Sequence, residues 1–270
     1  MNKRRGKLIA VGGGEGGEGV ILETIAAKAV EGGHLVVLVI ATEEAENSAA
    51  AYRRIFKKMG VEEVSALIIE RREDGLDEAR LSKLKDASVV FIPGGDQLKM
   101  TGLLGDSKMF QMMQELYKTG ATMAGSSAGA SILPDTMIIS GDGDDSDSIS
   151  GLGMAPGFGF IEGMVIDSHF AERGRINRLL GAVAQNPKNL GIGLDEDAAI
   201  VIDADNIFSV IGSGAVYIID GADISYSSLS EERPEGITTI HDVKLHVLQA
   251  GDKYDLKQRC PIVAETTKAK

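Results

Sequence analysis

The stretch Thr122-Met123-Ala124-Gly125-Ser126-Ser127-Ala128-Gly129-Ala130 passes from a short apolar segment into a cluster of small residues. Its centre matches the pattern G-x-S-x-G, in which a serine lies on the sharp turn between a buried strand and a helix. Small neighbours leave the backbone the room that such a turn needs. The pattern predicts that the Ser127 hydroxyl projects above the sheet, where N–H groups of the next helix face a developing oxyanion. The alternative is a turn of small residues that only packs closely.

Short apolar runs on both sides of this stretch alternate with helical patterns. The runs are rich in valine and isoleucine and lack polar alternation, which is typical of strands covered on both faces. They are Leu8–Val11, Leu35–Ala41, Ala66–Ile69, Val89–Ile92 and Thr122–Ala124. The helical patterns are Val20–Val30, Ala45–Met59, Leu76–Leu84 and Met109–Lys118. This β-α-β-α order predicts a parallel sheet with helices on both sides.

After Pro134 the pattern changes to closely spaced strands. They are predicted at Met137–Ser140, Met164–Asp167, Gly191–Leu194, Ala199–Ile202, Ile207–Val210 and Val216–Ile219. One helix, predicted over Arg173–Ala184, interrupts them and ends before Asn186-Pro187. We interpret this half as an antiparallel extension of the same sheet. Without a linker, repeat or low-complexity tract, the chain is predicted to be one domain over 1–270, with polar tails at 1–6 and 261–270.

The composition narrows the class of protein. The 270 residues include 40 acidic and 28 basic side chains, a net charge of −12 that argues against a nucleic-acid partner. Hydrophobic residues make up 43 %, enough for a sizeable core. The single cysteine, Cys260, excludes a disulfide scaffold and a multi-cysteine zinc site. Neither a signal peptide nor an apolar run of about 20 residues is present, so we expect a cytoplasmic protein without a membrane partner.

A second glycine run, Gly12-Gly13-Gly14-Glu15-Gly16-Gly17, matches the pattern G-x-G-x-x-G of dinucleotide-binding turns. Glu15 and Glu18 would repel a pyrophosphate at the start of the following helix. A tight strand-to-helix turn that lines a cleft is therefore the favoured interpretation.

A third run, Pro93-Gly94-Gly95-Asp96-Gln97, follows the predicted strand Val89–Ile92. Its N–H groups are suited to the second half of an oxyanion hole, with Gly95 and Ala128 as the donors. Gln97 would then direct its side-chain amide at the substrate. An ordinary Gly-Gly turn is the alternative.

A serine nucleophile needs a base, and the chain has four histidines. His34 opens a buried strand, where a structural role is expected, and His241 and His246 lie late in the chain. His169 follows the predicted strand Met164–Asp167, at the sheet edge where a catalytic base is required. It is the best candidate.

The acid that orients this histidine has three candidates. Glu196 ends a predicted strand and can hold the second ring nitrogen of His169, but its neighbour Asp195 competes. The acidic loop Asp142–Asp147, which includes Asp145, lies between the serine and the histidine. That loop is a triad donor, a cation-binding patch or solvated surface, and it lacks the glutamate that a calcium loop has at its twelfth position.

Arg173, Arg175 and Arg178 crowd within six residues at the start of the predicted helix. Cations at this end of a helix are unfavourable unless they meet anions, and arginine suits bidentate recognition of carboxylates. They indicate either a substrate rich in carboxylates or surface charges paired with Glu172 and other acids.

These motifs, taken together and in this order from about Lys7 to the last strands, resemble the cyanophycinases. The motifs are Gly94–Gln97, Gly125–Ala130, Asp167–Phe170 with the three arginines, and Gly193–Glu196. Cyanophycinases are serine exopeptidases related to the aspartyl dipeptidase peptidase E. They release β-aspartyl-arginine dipeptides from cyanophycin, a polyaspartate that bears arginine on each β-carboxyl.

The resemblance implies an α/β fold: a three-layer sandwich with a mainly parallel central sheet, similar to class I glutamine amidotransferases (flavodoxin-like), and an antiparallel C-terminal extension. It implies that Ser127 is the nucleophile, His169 the general base and Glu196 the orienting acid, with no metal or organic cofactor. The implied substrate-binding residues are Gln97, Asp167, Ser168, Arg173, Arg175 and Arg178. The implied assembly is a homodimer that acts on a polypeptide rich in aspartate and arginine.

Two residues depart from the family pattern. Ser126 stands where the family usually has threonine. Ser168 stands where the family often has glutamine, and the shorter serine side chain shortens a substrate contact. Related peptidases also use an aspartate of the earlier loop, here Asp145, as the acid. Two other functions stay open: an aspartyl or β-aspartyl dipeptidase of the peptidase E type, and a non-catalytic nucleotide-binding protein built on Gly12–Gly17.

Overall fold

Strands and helices alternate through the first half of the computed structural model, which describes residues 4–14, 19–139, 152–230 and 239–263. The strands are β1 (Leu8–Val11), β2 (His34–Ile40), β3 (Glu63–Ile69), β4 (Val89–Ile92) and β5 (Thr122–Ser126). The helices are α1 (Val20–Gly32), α2 (Ala45–Lys58), α3 (Glu78–Leu84), α4 (Gln97–Leu104), α5 (Lys108–Lys118) and α6 (Ala128–Ser131). The five strands predicted from apolar runs are all present.

The second half is dominated by strands and contains one further α-helix among the described residues. In chain order its elements are β6 (Thr136–Ile138), β7 (Met154–Pro156), β8 (Met164–Ser168), α7 (Ile176–Gln185), β9 (Leu190–Leu194), β10 (Ala198–Ile202), β11 (Ile207–Gly212), β12 (Val216–Asp220), β13 (Tyr226–Ser227), β14 (Ile240–His241), β15 (Lys244–Leu248), β16 (Lys253–Asp255) and β17 (Cys260–Ile262). The last two residues of β17 lie in the segment 261–270 that was predicted to be a polar tail.

Nine strands form a mixed central sheet in the order β17-β16-β11-β10-β1-β5-β4-β2-β3. The strands from β1 to β3 in this order are parallel to one another. The remaining strands, β10, β11, β16 and β17, join antiparallel. The parallel half agrees with the prediction, but the antiparallel strands make the whole sheet mixed instead of mainly parallel.

A separate sheet of four strands, in the order β15-β12-β9-β8, is the main departure from the predicted topology. Within it β8 and β9 are parallel, so the second half of the chain is not simply an antiparallel extension of the central sheet. Strand β8 of this sheet is apolar on both faces: Ile166 belongs to the core between the sheets, whereas Val165 packs with α7. Because such a strand lacks the alternation of apolar and polar residues, its sequence does not indicate which sheet it joins.

Apolar layers cover both faces of the central sheet, because successive side chains of a strand point to opposite faces. On β1, Ile9 and Val11 pack with residues of α1 and α2. Leu8 and Ala10 face the opposite layer, which contains residues of α3, α4, α5 and the four-stranded sheet. The result is a layered α/β structure. None of the helices in the described ranges has the length and apolar character needed to cross a membrane.

The parallel strands place their carboxyl ends at one edge of the central sheet, where open α/β sheets usually bind ligands. β1, β4 and β5 lead there into the segments 12–14, 93–96 and 127. The segment after β8 joins this edge, because His169 N–H donates to Gly12 O over 2.9 Å.

The aromatic cluster between α2 and the central sheet provides a test of the core. Phe56 is 0 % exposed, and its ring centroid lies 5.6 Å from that of Phe91. We expect Phe56→Ala to lower the free energy of unfolding by about 3–5 kcal/mol, measured in urea, because the cavity is only partly refilled. Val30→Ala, at a position 58 % exposed on α1, is the control and should change it by less than about 0.5 kcal/mol. Equal effects of the two substitutions would contradict the packing described.

Candidate active site

Ser127 lies on the turn between β5 and α6, as the G-x-S-x-G pattern predicts for a nucleophile. Its backbone adopts φ 53° and ψ −117°, a conformation that is costly for a residue with a side chain. Hydrogen bonds hold the turn: Ser127 N–H donates to Val11 O and Ser127 O accepts from Ala130 N–H, both over 3.0 Å. A Cβ at Gly129 would lie 2.1 Å from Ile92 O, so the approach of the helix to β4 requires glycine there.

His169 follows β8 directly and reaches the serine. Its Nε2 lies 2.9 Å from Ser127 Oγ, a normal hydrogen-bond distance. The imidazole is largely enclosed, with 14 % of the side chain exposed. Its backbone φ is 46°, so the serine and the histidine both have conformations that non-glycine residues rarely adopt.

Glu196 contacts the other side of the imidazole, with Oε1 2.7 Å from His169 Nδ1. An ionised carboxylate only accepts hydrogen bonds, so this contact assigns the proton to Nδ1 and leaves the Nε2 lone pair facing Ser127. Glu196 N–H in turn donates to Glu172 Oε1 over 3.1 Å. The side chains of Ser127, His169 and Glu196 are thus hydrogen-bonded in series, in the order that acyl-transfer catalysis requires. We call these three side chains the Ser-His-Glu chain.

The two alternatives to Glu196 as the orienting acid are Asp195 and Asp145. Asp195 is buried, and its Oδ1 accepts the N–H of Ala171 over 2.9 Å. Burial raises the pKa of Asp195 and the charge of Glu172 adds to this, while hydrogen bonds from Ala171 and Ala215 act in the opposite direction. The side chain of Asp195 thus supports the loop after His169 by binding a main-chain N–H of that loop. Asp145 and the rest of the acidic loop lie outside the described residues.

The two predicted oxyanion donors lie on either side of the serine in sequence, and the turn that carries Gly95 is near the serine in space. Ala128 is the first residue of α6, and Gly95 belongs to the turn after β4. This turn approaches the serine closely, since a Cβ at Gly94 would lie 3.5 Å from Ser127 Cβ. Within the described residues, the N–H groups of Gly95 and Ala128 donate to no main-chain carbonyl. Such amides are suited to an oxyanion.

Two of the three arginines form ion pairs with an acid of the same chain. The side chain of Asp167 is 1 % exposed, and its carboxylate accepts from Arg175 Nη1 over 3.2 Å and from Arg178 Nε over 2.7 Å. Arg175 also donates to the carbonyl of Ser168, the residue before the histidine. The side chains of Arg175 and Arg178 are only 14 % and 10 % exposed. The negative charge that Arg175 and Arg178 were expected to meet is thus supplied by Asp167 of the protein itself.

The helix predicted over Arg173–Ala184 begins later, at Ile176. The residues before it form turns, in which Arg173 N–H donates to His169 O over 3.1 Å. Arg173 and Arg175 therefore precede the helix, Arg175 as the residue directly before it, and only Arg178 lies within it. The prediction that all three arginines open the helix is wrong for Arg173 and Arg175. The side chain of Arg173 is exposed and makes no hydrogen bond or ion pair with the described part of the chain.

The other predicted substrate contacts are less accessible than expected. Gln97 is the first residue of α4, and its side-chain amide donates to Ile138 O over 3.1 Å. Ser168 is 3 % exposed at the end of β8. Helix α4 is missing from the predicted elements, although Asp96 is a typical residue to precede a helix and accepts the N–H of Lys99.

The described part of the Gly12–Gly17 run lies beside the Ser-His-Glu chain, since Gly13 and Gly14 approach His169 and Glu196. Gly13 O accepts the N–H of Asp197 over 2.9 Å, next to Glu196. Residues 15–18 of the run fall outside the described ranges. Within those ranges, no three His, Cys, Asp or Glu side chains are grouped so that they could hold a metal ion.

Comparisons with known proteins identify the family. Residues 8–210 match the profile of "Peptidase family S51". The chain is 34 % identical over 232 residues to the cyanophycinase of Trichormus variabilis, covering 86 % of this chain and 78 % of that protein. It is 32 % identical over 257 residues to the cyanophycinase of Synechococcus elongatus, covering 94 % and 80 %.

The fold is also similar to that of a solved structure. The crystal structure of a peptidase from an acI-B1 actinobacterium superposes with a TM-score of 0.69 at 22 % identity, covering 95 % of this chain and 99 % of that one. The family profile spans most of the chain from β1 into β11 and includes all three members of the Ser-His-Glu chain. The chain belongs to peptidase family S51.

Proposed function

We propose that this peptidase is a serine-type exopeptidase that hydrolyses cyanophycin to β-Asp-Arg dipeptides. The proposal is supported by two relatives named cyanophycinase, which cover most of the chain. The observation that carries its chemistry is the Ser-His-Glu chain, with 2.9 Å from Ser127 Oγ to His169 Nε2 and 2.7 Å from His169 Nδ1 to Glu196 Oε1.

The mechanism that fits this geometry is acyl transfer. Ser127 Oγ attacks the scissile carbonyl while His169 Nε2 accepts its proton, and Glu196 stabilises the imidazolium that forms. The N–H groups of Gly95 and Ala128 donate to the oxyanion. His169 then gives the proton to the leaving amine, and a water molecule activated by the same nitrogen hydrolyses the acyl-enzyme.

For substrate binding, the exposed position of Arg173 supports a direct contact with an aspartate carboxylate of the polymer. Asp167 holds Arg175 and Arg178 next to the loop that carries the base, so these two arginines combine a binding role with the support of that loop. We retain Gln97, Asp167 and Ser168 as further proposed binding positions, each at or next to the end of its strand or helix.

The finer architecture is also part of the proposal. We expect a single domain over 1–270 with the class I glutamine amidotransferase-like arrangement, acting in the cytoplasm as a homodimer without nucleic acid. The parallel half of the central sheet supports the fold assignment. Exposed apolar side chains on the edge strand β15, Leu245 at 54 % and Val247 at 57 %, support an interface between two copies.

Replacing the nucleophile tests the function and the substrate together. We expect the unaltered protein to clear a suspension of cyanophycin granules and release β-Asp-Arg, and Ser127→Ala to lower kcat by about 10³-fold or more with its Tm unchanged. Ser131→Ala, which removes a hydroxyl bonded to Ser127 O, is the control and should stay within a few-fold of the unaltered enzyme. Near-normal hydrolysis by Ser127→Ala would sink the mechanism. Cleavage of aspartyl dipeptides without cleavage of the polymer would favour the peptidase E type.

The orienting acid is tested by two neighbouring substitutions. Glu196→Gln should lower kcat by about 10²–10⁴-fold with a small change in KM, because an amide no longer stabilises the imidazolium and can reverse the tautomer. Asp195→Asn should have a much smaller effect, because the asparagine carbonyl still accepts the N–H of Ala171. A larger loss in Asp195→Asn than in Glu196→Gln would show that the acid is assigned incorrectly.

The role of Arg173 is tested by its removal. Because a hydrogen bond to a charged group contributes about 1.5–3 kcal/mol, Arg173→Ala should raise KM for cyanophycin about tenfold or more while kcat changes less. Arg54→Ala, at an exposed position on α2, serves as the control for the loss of one surface charge. If both variants keep the KM of the unaltered enzyme, Arg173 is an ordinary surface residue.

A further inference from the structure

We propose that Gly12–Gly14, which we call the glycine support, positions His169 and Glu196 for the reaction, and that Gly13 has to lack a side chain so that the imidazole can reach Ser127. This inference rests on the proposed function, because it assumes that the Ser-His-Glu chain is catalytic. It gives a role to the motif that resembles a dinucleotide-binding turn in sequence.

The contact at Gly13 is with the imidazole itself. A Cβ at this position would lie 2.3 Å from Cε1, 2.6 Å from Nε2 and 3.0 Å from Nδ1 of His169. Carbon atoms of different residues do not approach this closely, so a side chain at Gly13 would occupy the space of the ring. A displaced ring would lose the hydrogen-bond geometry of both its nitrogens, which contact Ser127 and Glu196.

The main chain of the glycine support binds both loops that carry the reacting side chains. Gly12 O accepts the N–H of His169 over 2.9 Å, and Gly13 O accepts the N–H of Asp197 over the same distance. At Gly14 a Cβ would lie 2.7 Å from Glu196 Cβ, so the acid also packs directly on this segment. The base and the acid are therefore positioned by one short piece of backbone.

The same contacts argue against the nucleotide-binding hypothesis. In a phosphate-binding turn, the absence of side chains allows the ligand to approach the backbone. Here the space next to Gly13 and Gly14 is already filled by His169 and Glu196. The absence of side chains at these two positions is explained by the packing of protein groups alone.

Displacement of the imidazole would act mainly on the chemical step. A shift of the ring lengthens the distance from Nε2 to Ser127 Oγ, and a misplacement of about 1 Å can cost about 10²-fold in rate. The three atoms nearest to a Cβ at Gly13 all belong to the His169 ring, and none belongs to the exposed Arg173 that is proposed to bind the substrate. We therefore expect a fall in kcat with little change in KM.

The experiment compares Gly13→Ala with Gly33→Ala. The two glycines have nearly equal φ angles, +104° and +107°, but nothing lies within 4 Å of a Cβ at Gly33. Both variants place an alanine at a similar positive φ, and only Gly13→Ala meets the ring. For cyanophycin hydrolysis we expect Gly13→Ala to lower kcat by about 10²-fold with KM within about twofold, and a fluorophosphonate to label Ser127 correspondingly slowly. Gly33→Ala should retain kcat within a few-fold.

A double-mutant cycle separates positioning of the ring from general destabilisation. In the background of His169→Ala the ring is gone, so adding Gly13→Ala should lower the residual activity by no more than about twofold. A substitution that only disturbs the fold would lower the activity of both backgrounds by the same factor. That result would overturn the proposal, as would a kcat of Gly13→Ala no lower than that of Gly33→Ala.

Two further outcomes are informative. If Gly13→Ala does not fold, Gly14→Ala tests the support through Glu196 instead, and a kcat equal to that of Gly33→Ala would overturn the proposal. The failure of this inference differs from the failure of the proposed function. If Ser127→Ala keeps its activity, the Ser-His-Glu chain itself is not catalytic; if Ser127 is essential and Gly13→Ala is normal, only the role of the glycine support is wrong.

Discussion

The pairing of β1 with a strand on each side is the constraint on which the site depends. β1 is parallel to β5 with Val11 opposite Ser126, and antiparallel to β10 with Val11 opposite Ala199. The residues that follow β1 therefore emerge between the serine turn and the loop of Glu196. Their main-chain groups bind these neighbours: Val11 O accepts from Ser127 N–H, and Gly12 N–H donates to Ala198 O.

These hydrogen bonds also hold backbone conformations that would otherwise be unfavourable. Ser127 and His169 both have positive φ angles, and each such residue costs about 1–3 kcal/mol that the surrounding structure has to offset. Ser127 donates its N–H to Val11 O at the end of β1, and His169 donates its N–H to Gly12 O directly after that strand. Part of the backbone strain of the described residues thus lies at the two residues proposed to react, and the end of a buried strand holds it there.

The parallel half of the sheet and the core of the site were predictable from the sequence because both depend on local patterns. Buried parallel strands are continuous apolar runs, and the turn around Ser127 requires small residues at fixed positions. The four-stranded sheet was not predictable, since β8 and β9 are apolar on both faces and their pairing depends on distant contacts. The same holds for Asp167, whose ion pairs with Arg175 and Arg178 join a strand to a helix that begins after a turn. The hydrogen bond from Glu196 N–H to Glu172 connects two separate loops, and no spacing in the sequence indicates it.

The nucleophile and the base are carried by different sheets: Ser127 follows β5 of the central sheet, and His169 follows β8 of the four-stranded sheet. Side chains such as Met123 and Ile166 fill the apolar core between them. The thickness of this core fixes how far apart the two sheets lie, and hence the separation of Oγ and Nε2. The size of these buried side chains therefore bears on the geometry of the reacting groups as well as on folding.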